Sequence, residues 1–173
     1  MANTTFTGPV RSENGFIDVT KNSSSGAFTT NFTLGSSGLL ATPVALSDAN
    51  TTLSATVHAG RTLVIPNLAA EKTYTLPSPV AGLSFKFIYG GAAADVQNAV
   101  ISTGSDTNFY IGGVSHLDTN ADNVAVYANG SSNSKLTLTQ QGVMEINVLA
   151  KDATNWYIWG YMTGEAAPSF ADQ

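Results

Sequence analysis

From about Ala45 onward, no stretch of this chain holds a helical hydrophobic period for three turns. Instead, short runs rich in Thr, Val, Ile and aromatic residues are cut every few positions by Gly, Pro, Asn or Ser. "TTLSATVHAGRTLVIPNL" holds two such runs around "HAGR", and "KTYTLPSPVAGLSFKFIYGG" reads as strand, Pro-bounded turn, strand. Leu83, Phe85, Phe87 and Tyr89 alternate with Ser84 and Lys86, the period of a half-buried strand. "AVISTG", "NFYIGGV" and "NVAVYANGSSNSKLTLTQQGVMEINVLAKD" continue the series, with Asn-Gly marking a turn between "VAVY" and "LTLT". Many short strands with frequent turns predict an all-β fold, an antiparallel β-sandwich of jelly-roll type over residues 45–164. The expected core is Phe85, Phe87, Ile101, Val126, Leu138, Ile146, Trp156 and Ile158.

The last run, "TNWYIWGYMTG", poses a separate question. In a strand, alternate side chains point to opposite faces. Trp156, Ile158 and Met162 then share one face, and Tyr157, Trp159 and Tyr161 share the other. An antiparallel strand with one face on the core presents a polar face to water; here the second face is aromatic. A large exposed apolar patch is rare on a soluble monomer unless it is used. Tyr157, Trp159 and Tyr161 are therefore the candidate subunit interface. The alternative is that the N-terminal segment or a second sheet of the same chain covers them.

Charge supports a contact role. Only 11% of the 173 residues are charged, against roughly 25% in an average globular domain. Charged residues are depleted in interface cores, where aromatics are enriched. The formal net charge is −5, and the 7 Lys and Arg are scattered. A nucleic-acid surface needs clustered cations, so neither nucleic acid nor an anionic membrane is expected as a partner. The absence of cysteine excludes disulfides, thiolate nucleophiles and cysteine metal sites. The start, "MANTTFTGPVRSENG", has no basic segment followed by an apolar run, so no secretory signal is expected. No apolar run reaches the roughly 20 residues that span a bilayer. Synthesis in a cytoplasm is the expectation.

Residues 1–44 differ from the rest. They are rich in Thr, Ser, Asn and Gly with isolated aromatics, a composition unable to close a core alone. Runs such as "GFIDVT" and "AFTTNFTL" are too regular for a linker and predict an extended N-terminal arm that pairs with something else; simple disorder is the alternative. Arg11 and Lys21 stand beside Phe6, Val10, Phe16 and Ile17, and these six are the candidate partner contacts of the arm. An extended segment can add to a partner's sheet edge through main-chain hydrogen bonds. Residues 165–173 are polar and small, and read as a flexible C-terminal tail.

A search for chemistry returns little. His116, Asp118 and Asp122 form the one local cluster with metal-ligating side chains, but the loop lacks the glycine and closing glutamate of an EF-hand, and a solvated Asx-rich turn is the competing reading. Asp48, Asp95, Asp106 and Asp152 sit where turn formers are needed. The serines lack the G-x-S-x-G setting, and "YGGAAAD" and "YIGGV" precede no helix that could hold phosphate. Neither an enzyme nor a cofactor or metal is expected.

Two stretches carry a resemblance. "MANTTFTGPVRSENGF" resembles the N-terminus of small virion structural proteins of marine short-tailed bacteriophages. "YTLPSPVAGLSFKF", followed far downstream by "NWYIWG", resembles the β-domains of phage decoration and fibre proteins. There a "TLP…AG" turn leads a core strand and an aromatic strand closes the sheet. The resemblance implies a capsid decoration (cement) protein on the virion surface. It would bind the major capsid protein, often as a homotrimer, without catalytic residues. A tail-fibre or receptor- or carbohydrate-binding β module is the alternative, since the aromatics could stack on sugar rings.

Overall fold

The computed structural model describes residues 16–34, 43–118, 123–164 and 166–173. In the first unit, Met1–Ala41, strands β1 (Phe16–Lys21) and β2 (Phe28–Leu34) pair antiparallel, Phe16 opposite Leu34 and Lys21 opposite Phe28, with a bulge at Asp18/Val19. The turn is made by "NSSSG". Asn22 Oδ1 accepts from the amides of Ser24 and Ser25, each at 2.9 Å, as an Asx turn does. The residues expected to run on as one extended arm thus double back and pair with each other between 16 and 34. Phe6, Val10 and Arg11 lie outside the described residues. Phe16, Ile17 and Lys21 lie on β1, with their side chains outside the described set.

The second unit, Thr42–Gln173, holds the other twelve strands in two sheets. Strands β3 (Val44–Ala45), β4 (Thr51–Thr52), β5 (Thr62–Ile65), β6 (Lys72–Thr75), β7 (Ser84–Tyr89) and β8 (Ala99–Ser102) come first. A single helical turn, α1 (Ala55–His58), lies between β4 and β5; Ser54 caps it, and His58 Nδ1 accepts from the Ser54 amide at 3.0 Å. Strands β9 (Phe109–Leu117), β10 (Val124–Asn129), β11 (Lys135–Leu138), β12 (Met144–Ala150), β13 (Asn155–Thr163) and β14 (Ser169–Ala171) follow. One sheet has seven strands in the order β10-β9-β13-β12-β7-β5-β3, and the other five in the order β14-β11-β8-β6-β4.

Strand direction corrects the antiparallel jelly-roll expectation. The pairs β3/β5, β5/β7, β4/β6, β6/β8 and β9/β13 are parallel, so both sheets are mixed. For the pairs among β3–β8 the cause is in the connections. From β3 to β8 the chain changes sheet after every strand, so each return to a sheet is a crossover through the opposite sheet. A crossover, unlike a hairpin, delivers the next strand in the same direction. Leu63 consequently sits in register with Val44 on one side and Phe87 on the other, and Tyr74 lies beside Ile101.

The two sheets share one core. Leu63, Ile65, Phe85, Phe87, Ile146, Val148, Trp156 and Ile158 from the larger sheet join Tyr74, Ile101, Leu136 and Leu138 from the smaller. The indole of Trp156 packs on Phe85 at 5.9 Å between ring centroids. Seven of the eight expected core residues are buried. Val126 is the correction. It is only half-buried because β10 is an edge strand, paired with β9 alone.

The C-terminal residues also correct the sequence reading. β14 pairs with β11, Phe170 packs on Tyr110 at 6.0 Å, and the Gln173 side chain donates to Thr103 Oγ1 at 3.1 Å. Small polar neighbours masked a single apolar anchor, Phe170, which ties a supposedly loose tail to the sheet.

Candidate functional site: the outer face of the seven-stranded sheet

Strand β13 lies inside the larger sheet, between β9 and β12. Its backbone comes close to β12 because Gly160 sits at φ +151°, where a Cβ would run into the Glu145 carbonyl, and close to β9 because Gly112 sits at φ +123°, where a Cβ would run into the Ile158 carbonyl. Trp156, Ile158 and Met162 enter the core, while Tyr157, Trp159 and Tyr161 face outward at 40%, 48% and 39% exposure. The three candidate interface residues thus share one exposed face, as their alternation predicts.

Register extends this row across the sheet. Trp159 is opposite Gly113 on β9, which is opposite Tyr127 on β10. On its other side Trp159 faces Asn147, which faces Lys86, which faces Thr62. Tyr127, at 72% exposure, is the most open aromatic of the face. Sequence reading passed over it, although the alternation of "VAVYAN" beside a turn carried the signal. Tyr157 lies beside Ile111, and the exposed Leu117 lies beside Thr163.

The face therefore has two halves. The β9, β10 and β13 half is aromatic and aliphatic. The β5, β7 and β12 half mixes polar Thr62, Ser84, Lys86, Glu145 and Asn147 with aliphatic Val64, Ile88 and Leu149 on the same outward alternation. Lys86 Nζ lies 3.1 Å from Glu145 Oε1, and Asn147 Nδ2 donates to the same oxygen at 3.1 Å. The Asn147 amide first, then Lys86, holds the Glu145 carboxyl below its ordinary range.

The remaining candidate groups serve the fold. His116 is buried, its Nε2 2.9 Å from the Gly164 carbonyl oxygen. The Asp118 amide donates to Asn123 Oδ1 at 3.0 Å, and Asp122 lies outside the described residues; no group of three or more His, Cys, Asp or Glu among the described residues could hold a metal ion. Asp152 takes the amides of Thr154 and Asn155 at 2.9 and 2.8 Å, and these donors hold its carboxyl well below the usual range. Asp48 accepts from the Ala69 amide and lies 3.7 Å from Lys72. Asp95 does more than form a turn. Buried, it accepts from the amides of Leu68 and Gln97 and from the side chain of Gln141, tying three connections together. No helix among the described residues is long and apolar enough to cross a membrane.

No family model matches this chain, and no curated protein matches it.

Proposed function

We propose that this chain is a non-enzymatic structural protein of a phage virion, a decoration protein that binds the outer surface of the capsid and stabilises it. The observation that carries the reading is the row of outward aromatics, Tyr127, Tyr157, Trp159 and Tyr161, on one sheet face of a chain with 11% charged residues. Exposed rings of this number are retained where a partner covers them. Subunits associate through the β9, β10 and β13 half of the face. A closed cyclic homotrimer suits a threefold site on a shell and buries on the order of 800 Å² per partner at each contact.

The N-terminal unit supplies the grip on the major capsid protein. Among the described residues β1 and β2 pair only with each other; a two-stranded ribbon is marginal in water, and adding an edge of it to a partner's sheet would contribute main-chain hydrogen bonds. Phe6, Val10, Arg11, Phe16, Ile17 and Lys21 are the side chains proposed to meet the shell. Incubation with emptied shells of the encoding phage, followed by sedimentation, tests this. The full chain is expected to co-sediment, and a variant lacking residues 2–34 is expected to stay in the supernatant. Co-sedimentation of the shortened chain at unchanged occupancy would move the anchor to the second unit; failure of the full chain to bind would end the capsid reading.

A further inference from the structure

Among the described residues the two sheets of the second unit end in four edge strands, and three of these are short. β3 and β4 have two residues each, and β14 has three. Short edge strands, Lys, Pro and bulges are the devices that keep a sheet edge from pairing with another chain. β10 carries none of them. It runs for six residues, Val-Ala-Val-Tyr-Ala-Asn, without Pro, Gly or charge, and its register with β9 is unbroken from Val124 to Asn129. The Val126 carbonyl points at β9, since it lies 2.6 Å from where a Gly113 Cβ would stand. In an antiparallel pair the residues whose main-chain groups bond across alternate with those that do not, so Ala125, Tyr127 and Asn129 turn theirs away from β9. The Asn129 amide is taken by Asn133 Oδ1 at 2.7 Å. Ala125 and Tyr127 are left with their N–H and C=O groups on an edge that no strand among the described residues pairs with.

We propose that the β10 edge pairs with the β10 edge of a second copy of this chain, antiparallel, about a two-fold axis at Val126. In that register Ala125 exchanges both main-chain hydrogen bonds with the partner's Tyr127, and Tyr127 does so with the partner's Ala125, so every open group of the two residues is used. The side chains agree with this register. Ala125 and Tyr127 share the outer face, so each phenol ring stands beside a methyl group rather than a second ring. Val126 meets its own counterpart on the inner face. A strand without charge brings no like charges together on pairing, which matters in a chain of net charge −5. A shift of two residues would set two Tyr127 rings opposite each other and call on the Asn129 amide that Asn133 already holds. The opposite shift takes Tyr127 past the first residue of the partner strand, Val124. The pairing uses main-chain atoms in the plane of the sheet, whereas the proposed subunit contact uses rings that stand out of that plane. The two therefore do not compete for Tyr127.

Disulfide trapping tests the pairing, in a full chain that has no cysteine of its own. Across the axis the two Val126 positions form a non-hydrogen-bonded pair with Cα atoms about 4.5 Å apart, inside the roughly 4.4–6.8 Å range of disulfides. Val126→Cys, oxidised in air, is expected to run at twice the 17.9 kDa chain mass on a non-reducing denaturing gel. Ala128→Cys is expected to stay monomeric, because its two copies would lie four residues apart at about 3.4 Å each. Adding Ala125→Pro to Val126→Cys should remove the dimer, since proline is tolerated where an edge N–H faces away from its sheet and cannot donate to a partner. In the unmutated chain, the Ala125 and Tyr127 amides should exchange with deuterium more slowly as concentration rises. The Val126 amide, which faces β9, should not change. Absence of a trimer in sedimentation would leave these results standing, so the two readings fail separately. Equal cross-linking of the two cysteine variants, a dimer that survives Ala125→Pro, or exchange of Ala125 and Tyr127 independent of concentration would overturn the proposal. So would release of Ala125→Pro from emptied shells without a Val126→Cys dimer, which would give the edge to a foreign strand.

Discussion

Trp159 on β13 and Tyr127 on β10 stand on either side of Gly113 in one row across the outer face. The glycine makes the arrangement possible, because a Cβ on Gly113 would lie 2.7 Å from Tyr127 Cδ1 and 2.6 Å from the Val126 carbonyl oxygen. Gly113→Ala should therefore lift the Tyr127 ring and disturb the β9/β10 pairing. We expect it to weaken subunit association about as much as Tyr127→Ser does, read from the concentration dependence of sedimentation. Unchanged association in Gly113→Ala would remove Tyr127 from the contact.

Gly160 should be the less replaceable of two glycines with positive φ. Gly82 stands at φ +91° with open space around it, so Gly82→Ala carries strain alone, about 1–3 kcal/mol. Gly160→Ala adds a collision with the Glu145 carbonyl on the neighbouring strand. Urea unfolding is expected to give a larger loss for Gly160→Ala than for Gly82→Ala; equal losses would show that the β12/β13 contact relaxes freely.

Phe170 tests whether the C-terminal strand is part of the sheet. Its ring is half-buried against Tyr110. Phe170→Ala should cost about 1–3 kcal/mol of stability, in line with the apolar surface it loses. A change within about 0.5 kcal/mol, the usual range for a surface site, would return residues 166–173 to a loose tail.

Alkaline pH should unfold the second unit through two buried tyrosines. Tyr74 donates to the Ser47 carbonyl at 3.2 Å, and Tyr110 donates to the Ile101 carbonyl at 3.1 Å. Burial first, with Asp48 and Asp95 adding, pushes Tyr74 up to about 12 from 10.0, and burial raises Tyr110 further. Because the folded state holds these protons more tightly, their contribution is complete below pH 10 and is lost as pH rises toward 12. Tyr74→Phe should cost about 1 kcal/mol at neutral pH through the lost hydrogen bond, and its stability should fall less steeply between pH 10 and 12. A parallel decline in both proteins would show that Tyr74 does not set the alkaline limit.

The strands were legible in the sequence because alternation is local: Phe85 and Phe87, or Trp156 and Ile158, declare their face within a few residues. Strand direction was not legible. Whether Leu63 lies beside Val44 or Leu46 depends on which sheet each run joins, and no single run records that. Val126 alternates as well as Phe87 does, but β10 has a neighbour on one side only, so the same pattern yields half the burial. The aromatic row of β13 could be read directly. That Tyr127 on one side and Asn147, Lys86 and Thr62 on the other lie in one row with Trp159 could not be read, since strands distant in sequence bring them together.

The row of Tyr127, Tyr157, Trp159 and Tyr161 is proposed to join copies of this chain. Sedimentation equilibrium of the unmutated full chain at micromolar concentration tests it most directly. A species of three times the 17.9 kDa chain mass is expected. Tyr161→Ser or Tyr127→Ser should shift the equilibrium toward monomer by about 2 kcal/mol, as loss of an interface hot spot does. A single monomeric species at that concentration, with both variants indistinguishable from the unmutated protein, would contradict it.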